Sequence, residues 1–461
     1  MSPRKAPAKA RKKKPSSTPP ASTPSQQPAV GLPANGPIFA EPTVTPDPTK
    51  FKVAHASDSQ AYGEMDALIK ANKFLPLPFP TVQGVAEPVL TLADALGSSG
   101  PATISKVEQD GRIVFHSAGD TGATRGPKSE NAVVDKMLTD FDGESPDAVP
   151  QFFYNLGDIV YSFGEHKYYY DQFYDAFRNY GRPIFAIPGN HDGIVLPPPA
   201  GTGKPGDSLS AFLANFCAPS FAHAPDAMGL SRTTMIQPGV YFTLEAPFVR
   251  LLGIYSNMLE NPGVISSTDD PTKSGKPKFP DIGDAQLTYL AAALDRVKKD
   301  AFDGALLICV HHPPYAFGKH SGSMVMLKEI DAICKAAGVW PHAVLSGHAH
   351  NYQRFTRHLG TRQIPFIVCG NGGHAIAKLS KTQSLRTPQS MPVFAQPQAK
   401  DSVTFESYDD ADYGYLRVLV DPKQLRIEYH PASDGGQTKT PDDSVTVDLA
   451  TGTLIHYNAP A

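Results

Sequence analysis

Beyond residue 110 the chain is punctuated by short apolar runs, at 113–115, 152–156, 184–187, 306–310, 343–345 and 366–369. Each gives way to a stretch containing Gly, Asn, His or Asp. Unbroken apolar runs of this length, bounded by turn formers, predict buried strands whose carboxyl ends open into loops. Helical spacing fills the gaps. Leu287, Leu290, Leu294 and Val297 predict a helix over 284–299, with Asp284 as its N-cap and Lys298 and Lys299 at the negative end of its dipole. A shorter helix is expected near 65–73. Strands alternating with helices imply an α/β layered domain. The pairs 241–244 with 249–255 and 415–420 with 425–429 look antiparallel, which implies a second sheet. The Pro/Gly-rich stretches 193–207 and 259–282 read as inserted loops.

The first 50 residues break this pattern. They hold 12 prolines among Ser, Thr and Ala, too little apolar surface to offset chain entropy, and so read as disordered. Arg4, Lys5, Lys9 and residues 11–14 make the segment basic. It is either a solubilising tail or a weak tether to nucleic acid or an anionic surface. With a formal net charge of −3 over 461 residues, the chain as a whole is not a polyanion binder. The four cysteines, Cys217, Cys309, Cys334 and Cys369, lack the spacing of a disulfide framework or zinc ribbon. Cys309 and Cys369 lie in apolar runs and read as small core residues. A reducing compartment is therefore allowed. No apolar stretch is long enough to span a membrane. No apolar region follows the N-terminal charges, so no secretory signal is read and a cytoplasmic location is favoured.

The chemistry lies where the apolar runs end. Five of them release potential metal ligands: Asp120, then Asp158 with Tyr161, then Asn190-His191-Asp192, then His311-His312, then His348 and His350. Ligands at the carboxyl ends of adjacent strands converge in space. Carboxylates, one amide and several imidazoles suit iron, zinc or manganese and are too rich in nitrogen for a calcium or magnesium cage.

These five segments resemble the five blocks of the calcineurin-like metallophosphoesterase superfamily. Two details resemble its purple acid phosphatase branch: Asp120 has no histidine two residues later, and Tyr161 follows Asp158 by three. The resemblance covers 111–449, leaving 51–110 as an N-terminal extension and 450–461 as a C-terminal tail. It implies a four-layer α/β/β/α sandwich of two mixed sheets flanked by helices. It implies one metal held by Asp120, Asp158, Tyr161 and His350, and another by Asp158, Asn190, His311 and His348. Asp158 would bridge, giving one oxygen to each ion. Phenolate from Tyr161 would favour iron at the first site, with iron, zinc or manganese at the second. His311 is preferred to His312 as ligand. His191 would donate to a phosphoryl oxygen, and His320 would face the leaving group as a general acid. Asp192 would hold the His191 tautomer or cap the loop. His374 is read as a non-ligand. His116 is placed at the sheet surface without a role. The implied activity is hydrolysis of phosphate monoesters by metal-activated water, as in acid phosphatases. A phosphodiesterase acting on cyclic nucleotides or lipid head groups would use the same core, and a non-catalytic scaffold would have lost ligands. The resembling branch is often exported, which stands against the cytoplasmic reading.

Overall fold

Nearly continuous apolar segments need cover on both faces, and two stacked sheets supply it. The computed structural model of the chain describes residues 36–40, 56–70, 85–142, 145, 148–196, 207–267, 282–379, 389–392, 402–434 and 439–458. Among these residues, the larger sheet runs β1 (Val89–Thr91), β5 (Phe242–Ala246), β6 (Val249–Ile254), β7 (Ala305–Val310), β8 (Ala343–Ser346), β10 (Arg362–Cys369), β9 (Tyr352–Leu359), β12 (Ser402–Asp409) and β11 (Gln389–Pro392). The smaller runs β16 (Thr453–Leu454), β15 (Asp443–Asp448), β14 (Gln424–Pro431), β13 (Gly414–Val420), β2 (Ile113–Ala118), β3 (Phe153–Asn155) and β4 (Ile184–Ala186).

Both sheets are mixed. In the larger, β6, β7, β8 and β10 are parallel and the strands from β9 outward are antiparallel. In the smaller, β2, β3 and β4 are parallel and β13 to β16 antiparallel. Every residue of β2, β7 and β8 is buried. One contact across the sandwich is the stacked pair Tyr352 of β9 and Tyr429 of β14, centroids 4.0 Å apart. Both expected antiparallel pairs are present, as β5 with β6 and β13 with β14.

Helices flank the sheets, which is the layered α/β architecture the sequence implied. The helix Ala285–Lys299 buries Tyr289, Leu290, Ala293, Leu294 and Val297. It also buries Gln286, whose amide exchanges two hydrogen bonds with the backbone of Tyr255. Asp284 stands at the N-cap position, but its side chain makes no capping bond there.

Segments outside the main pattern contribute as well. The helix expected near 65–73 is Ala56–Lys70. β1 comes from the stretch read as an N-terminal extension and pairs with β5. β16 comes from the stretch read as a C-terminal tail and pairs with β15. Within the basic tail, Ile38 exchanges hydrogen bonds with Thr233; residues 1–35 and 41–55 lie outside the described residues. So do the middles of both expected loops, 197–206 and 268–281. Cys309, Cys334 and Cys369 are buried, Cys217 is half-buried, and all four are free thiols. No helix among the described residues is long and apolar enough to cross a membrane.

Candidate metal centre

Asp120, Asp158 and Asn190 stand just past the carboxyl ends of the parallel neighbours β2, β3 and β4. His311 and His348 stand just past the parallel neighbours β7 and β8 of the other sheet. The two groups meet between the sheets. The Tyr161 hydroxyl lies 2.9 Å from Asp120 Oδ1, 3.0 Å from Asp158 Oδ2 and 3.5 Å from His350 Nε2. His350 Nε2 lies 3.3 Å from Asp120 Oδ1. These four side chains make one donor set. In the other, Asn190 Oδ1 lies 3.1 Å from His311 Nε2 and 3.0 Å from His348 Nδ1. His311 Nε2 lies 3.3 Å from Asp158 Oδ2. Donor atoms of Asp158, His311 and His348 all fall within 4.8 Å of one another.

The backbone is bent to achieve this. Asp120, Asp158 and His348 have φ of 56°, 56° and 67°, a left-handed conformation that costs energy for residues with a side chain and clusters at functional sites. Gly157, at φ +98°, packs so closely that a Cβ there would lie 2.6 Å from the Gly189 nitrogen. Each carboxylate has one oxygen tied to the main chain. Asp158 Oδ1 accepts from the His191 N–H at 2.8 Å and Asp120 Oδ2 from the His348 N–H at 2.7 Å. Asp158 Oδ2 is the oxygen beside both sets, while Oδ1 accepts from the His191 N–H and keeps a second lone pair.

The donor chemistry fits a cation. His311 Nδ1 lies 2.9 Å from the Leu156 carbonyl oxygen, so Nδ1 carries the hydrogen. A neutral His311 would then aim the Nε2 lone pair at the oxygens of Asn190 and Asp158. Lone pair against lone pair is repulsive unless a positive charge intervenes. Without a metal, a proton takes that place. Burial alone would lower His311, but the charges of Asp158 and Asp120 outweigh it and push the imidazole up to about 9. Burial would likewise raise Asp158, yet His311 and His191 hold its carboxyl far below the usual range. Burial, and then the charges of Asp120 and Asp158, push the Tyr161 phenol well above its usual value, an effect that a bound cation inverts. His348 is pushed well down, by burial first and then by His312 and His311, and its buried Nε2 has no partner. Neutral imidazoles, carboxylates, an amide oxygen and a phenol make a borderline set suited to iron, zinc or manganese.

A family model described as calcineurin-like phosphoesterase matches residues 118–352, which include every donor named above. The chain belongs to the calcineurin-like phosphoesterase family. Phosphoesterases of this family are hydrolases acting on phosphate esters. Solved structures similar to this phosphoesterase include the GAP50 anchor in the inner membrane complex of Plasmodium, at 12% identity and TM-score 0.44, covering 73% of this chain and 89% of that one. PhoD is similar at 13% identity and TM-score 0.44, covering 76% and 72%. A dimetal phosphatase from Danio rerio is similar at 11% identity and TM-score 0.40, covering 73% and 99%. No curated protein sequence matches the chain significantly.

The remaining candidates of this phosphoesterase divide clearly. Nδ1 of His191 lies 2.7 Å from the Ser162 carbonyl oxygen, which leaves Nε2 for a ligand. Asp192 takes the loop-capping alternative: its carboxylate accepts from the N–H groups of Ile159, Val160 and Gly189. The Ser162 carbonyl, not Asp192, engages the His191 ring. Burial, then the charge of Asp158, pushes the Asp192 carboxyl up to about 7. Both ring nitrogens of His312 are spent, on Ser256 Oγ and the Leu259 carbonyl. The His320 ring sits 4.5 Å from that of His348 and 5.3 Å from that of His350. Burial, then His350, pushes it down to about 4, so it is neutral near pH 7 and holds a proton only in acid. His374 stacks on Tyr161 with centroids 3.7 Å apart and sets its Nδ1 on the Gly122 carbonyl. His116 is not at a surface. It is fully buried, with Nδ1 3.0 Å from the Tyr180 hydroxyl and Nε2 3.0 Å from Asp140.

Two residues beside the centre escaped the sequence reading. Tyr62 stacks on His191, centroids 4.5 Å apart at 16°. Its hydroxyl bridges Asn190 Nδ2, at 3.1 Å, and Glu260 Oε2, at 2.5 Å. Neither residue lies in one of the five motif blocks, so no spacing rule pointed to them.

Proposed function

We propose that this phosphoesterase is a binuclear metal enzyme that hydrolyses phosphate monoesters, in the manner of the purple acid phosphatases. The observation that carries the reading is Asp158 Oδ2, one oxygen that belongs to both donor sets. Asp120, Asp158, Tyr161 and His350 would hold one ion, favoured as iron by the phenol. Asp158, Asn190, His311 and His348 would hold the second: iron, zinc or manganese. When bound, such a pair activates water and neutralises charge on the attacking and leaving oxygens of an in-line displacement. The chain's own groups do the rest. His191, braced by Ser162 and by the Tyr62 ring, has its Nδ1 hydrogen on the Ser162 carbonyl, so it would donate from Nε2 to a phosphoryl oxygen as the imidazolium, the form that negative charge building there favours. His320 stands beside His348 and His350, on the side assigned to the leaving group, where a donated proton would make an alkoxide a better leaving group. Its low affinity for protons suits activity in acid.

The test is hydrolysis of a chromogenic phosphate monoester across pH by wild type and Asn190→Ala, with metal content measured on both. Wild-type turnover that collapses in the variant supports the reading. A metal-replete wild type that spares monoesters and cleaves a chromogenic diester would replace it with a phosphodiesterase. Inactivity on both would favour a scaffold.

A further inference from the structure

We infer that Tyr62, held by Glu260, is a positioning residue of the metal centre, which fixes the amide of Asn190 with its oxygen toward the second donor set. The inference rests on the binuclear reading above. A primary amide has two ends of almost equal size and opposite character. Only Oδ1 has lone pairs to offer a cation. Turned over, Asn190 would present two N–H bonds to that place and repel the ion.

The strands do not decide this orientation. Tyr62 selects it from the Nδ2 end, as His311 and His348 do from the Oδ1 end. Asn190 Nδ2 can only donate, so at 3.1 Å the Tyr62 oxygen must accept from it. The phenol's own hydrogen then has one acceptor in reach, Glu260 Oε2. A carboxylate cannot donate, which sets the direction of the whole chain: Asn190 to Tyr62 to Glu260. With Nδ2 so engaged, Oδ1 falls 3.1 Å from His311 Nε2 and 3.0 Å from His348 Nδ1. The same ring lies nearly parallel over His191, so one side chain braces a ligand and the neighbouring phosphoryl contact together. On its other side, Glu260 Oε1 lies 3.5 Å from Lys319 Nζ.

The elements involved are telling. Tyr62 belongs to the helix Ala56–Lys70, outside the span 118–352 that the family model matches. The centre is therefore completed by a helix that the family core does not supply.

The experiment uses the full chain loaded with zinc. Zinc per chain and its retention against a graded chelator are measured for wild type, Tyr62→Phe, Glu260→Leu, the double variant and Glu260→Gln, alongside KM and kcat on a chromogenic monoester. Tyr62→Phe keeps the ring over His191 and removes both hydrogen bonds. One of the two ions should bind about 10–100-fold more weakly, the range for lost support of a metal ligand. Excess zinc should restore kcat, with KM unchanged. Glu260→Leu should show the same loss, the double variant no further loss, and Glu260→Gln, which still accepts from Tyr62, should recover most of it. Wild-type zinc affinity in both Tyr62→Phe and Glu260→Leu would overturn the inference alone. Wild type that takes up fewer than two ions would overturn the binuclear reading, and this one with it.

Discussion

A centre that holds protons when empty must release them on loading. His311, pushed up to about 9 by Asp158 and Asp120 against its burial, is protonated near pH 7 in the metal-free protein. The sign follows from the direction. A histidine raised in the folded state contributes its ion pair fully below its unfolded value of about 6.5 and loses it as pH rises through about 9. Near pH 7 an incoming ion must displace that proton across about two pH units, which costs about 2.7 kcal/mol at 1.36 kcal/mol per unit. Metal affinity at the His311 side should therefore be about a hundredfold weaker near pH 7 than above 9, falling about tenfold per unit between. Tyr161 adds a second proton, because its phenol, buried against two carboxylates, must ionise to serve as a ligand. The assay is calorimetric titration of zinc into metal-free protein near pH 7, in two buffers of different ionisation enthalpy, which yields the number of protons released. Tyr161→Phe should release about one fewer than wild type, since the phenylalanine has no hydroxyl to ionise. Equal release by the two proteins would remove Tyr161 from the ligand set. An affinity that did not change with pH below about 9 would refute the account of His311.

Three further outcomes are expected. Asp158→Asn should cost both ions, because an amide that keeps the bond to the His191 N–H turns its NH2 toward both donor sets; metal analysis showing two ions retained, with a full rate, would sink the shared-oxygen assignment. Gly189→Ala would place a Cβ 2.1 Å from Asp158 Oδ1 and 2.4 Å from the Asp158 nitrogen, so the carboxylate must move, and kcat should fall by about 100-fold or more; a wild-type rate in a folded, metal-loaded variant would contradict the geometry. Glu130 is fully buried, neither of its oxygens has a partner, and burial, then Asp175, raises its carboxyl well above the usual range. The folded state then keeps a proton that the unfolded state loses, so stability should decline relative to Glu130→Gln by about 1.4 kcal/mol per pH unit as pH rises from about 4.3 toward the folded value; parallel urea-unfolding curves for the two proteins across pH would refute this.

What the sequence made legible was local. Asp120, Asp158, Asn190, His311 and His348 each follow an apolar run by a few residues, so the motif and the strand that positions it are read together. Relations between distant segments were not legible. Nothing in the spacing says that Oδ1 of Asp158 is claimed by the His191 N–H, or that Asp192, beside His191 in sequence, turns back to the backbone of Ile159 and Gly189. β9 was missed because it reads YQRFTRHL, half polar. Its buried Arg357 is met by a bidentate pair with Asp331, 26 residues earlier. β1 and β16 span three and two residues, too short for a period to register. His116 sits in an apolar strand with its partners Asp140 and Tyr180 on other elements, so its burial could not be read from its neighbours.

The donors come from both sheets: Asp120, Asp158 and Asn190 from one, His311, His348 and His350 from the other. An ion seated among them is also a clasp. It fastens the open ends of two layers that are joined elsewhere by apolar packing and by polar links such as the Arg354–Asp443 pair between β9 and β15, and the layers cannot slide or part at that edge without letting it go. Loading and rigidity become one property. Any ion bound only by the closed sandwich adds its binding free energy to the fold, about 4.1 kcal/mol when present at a thousand times its dissociation constant. The emptied protein should breathe first at the mouth of the site, so that chelation loosens the same edge that catalysis needs firm.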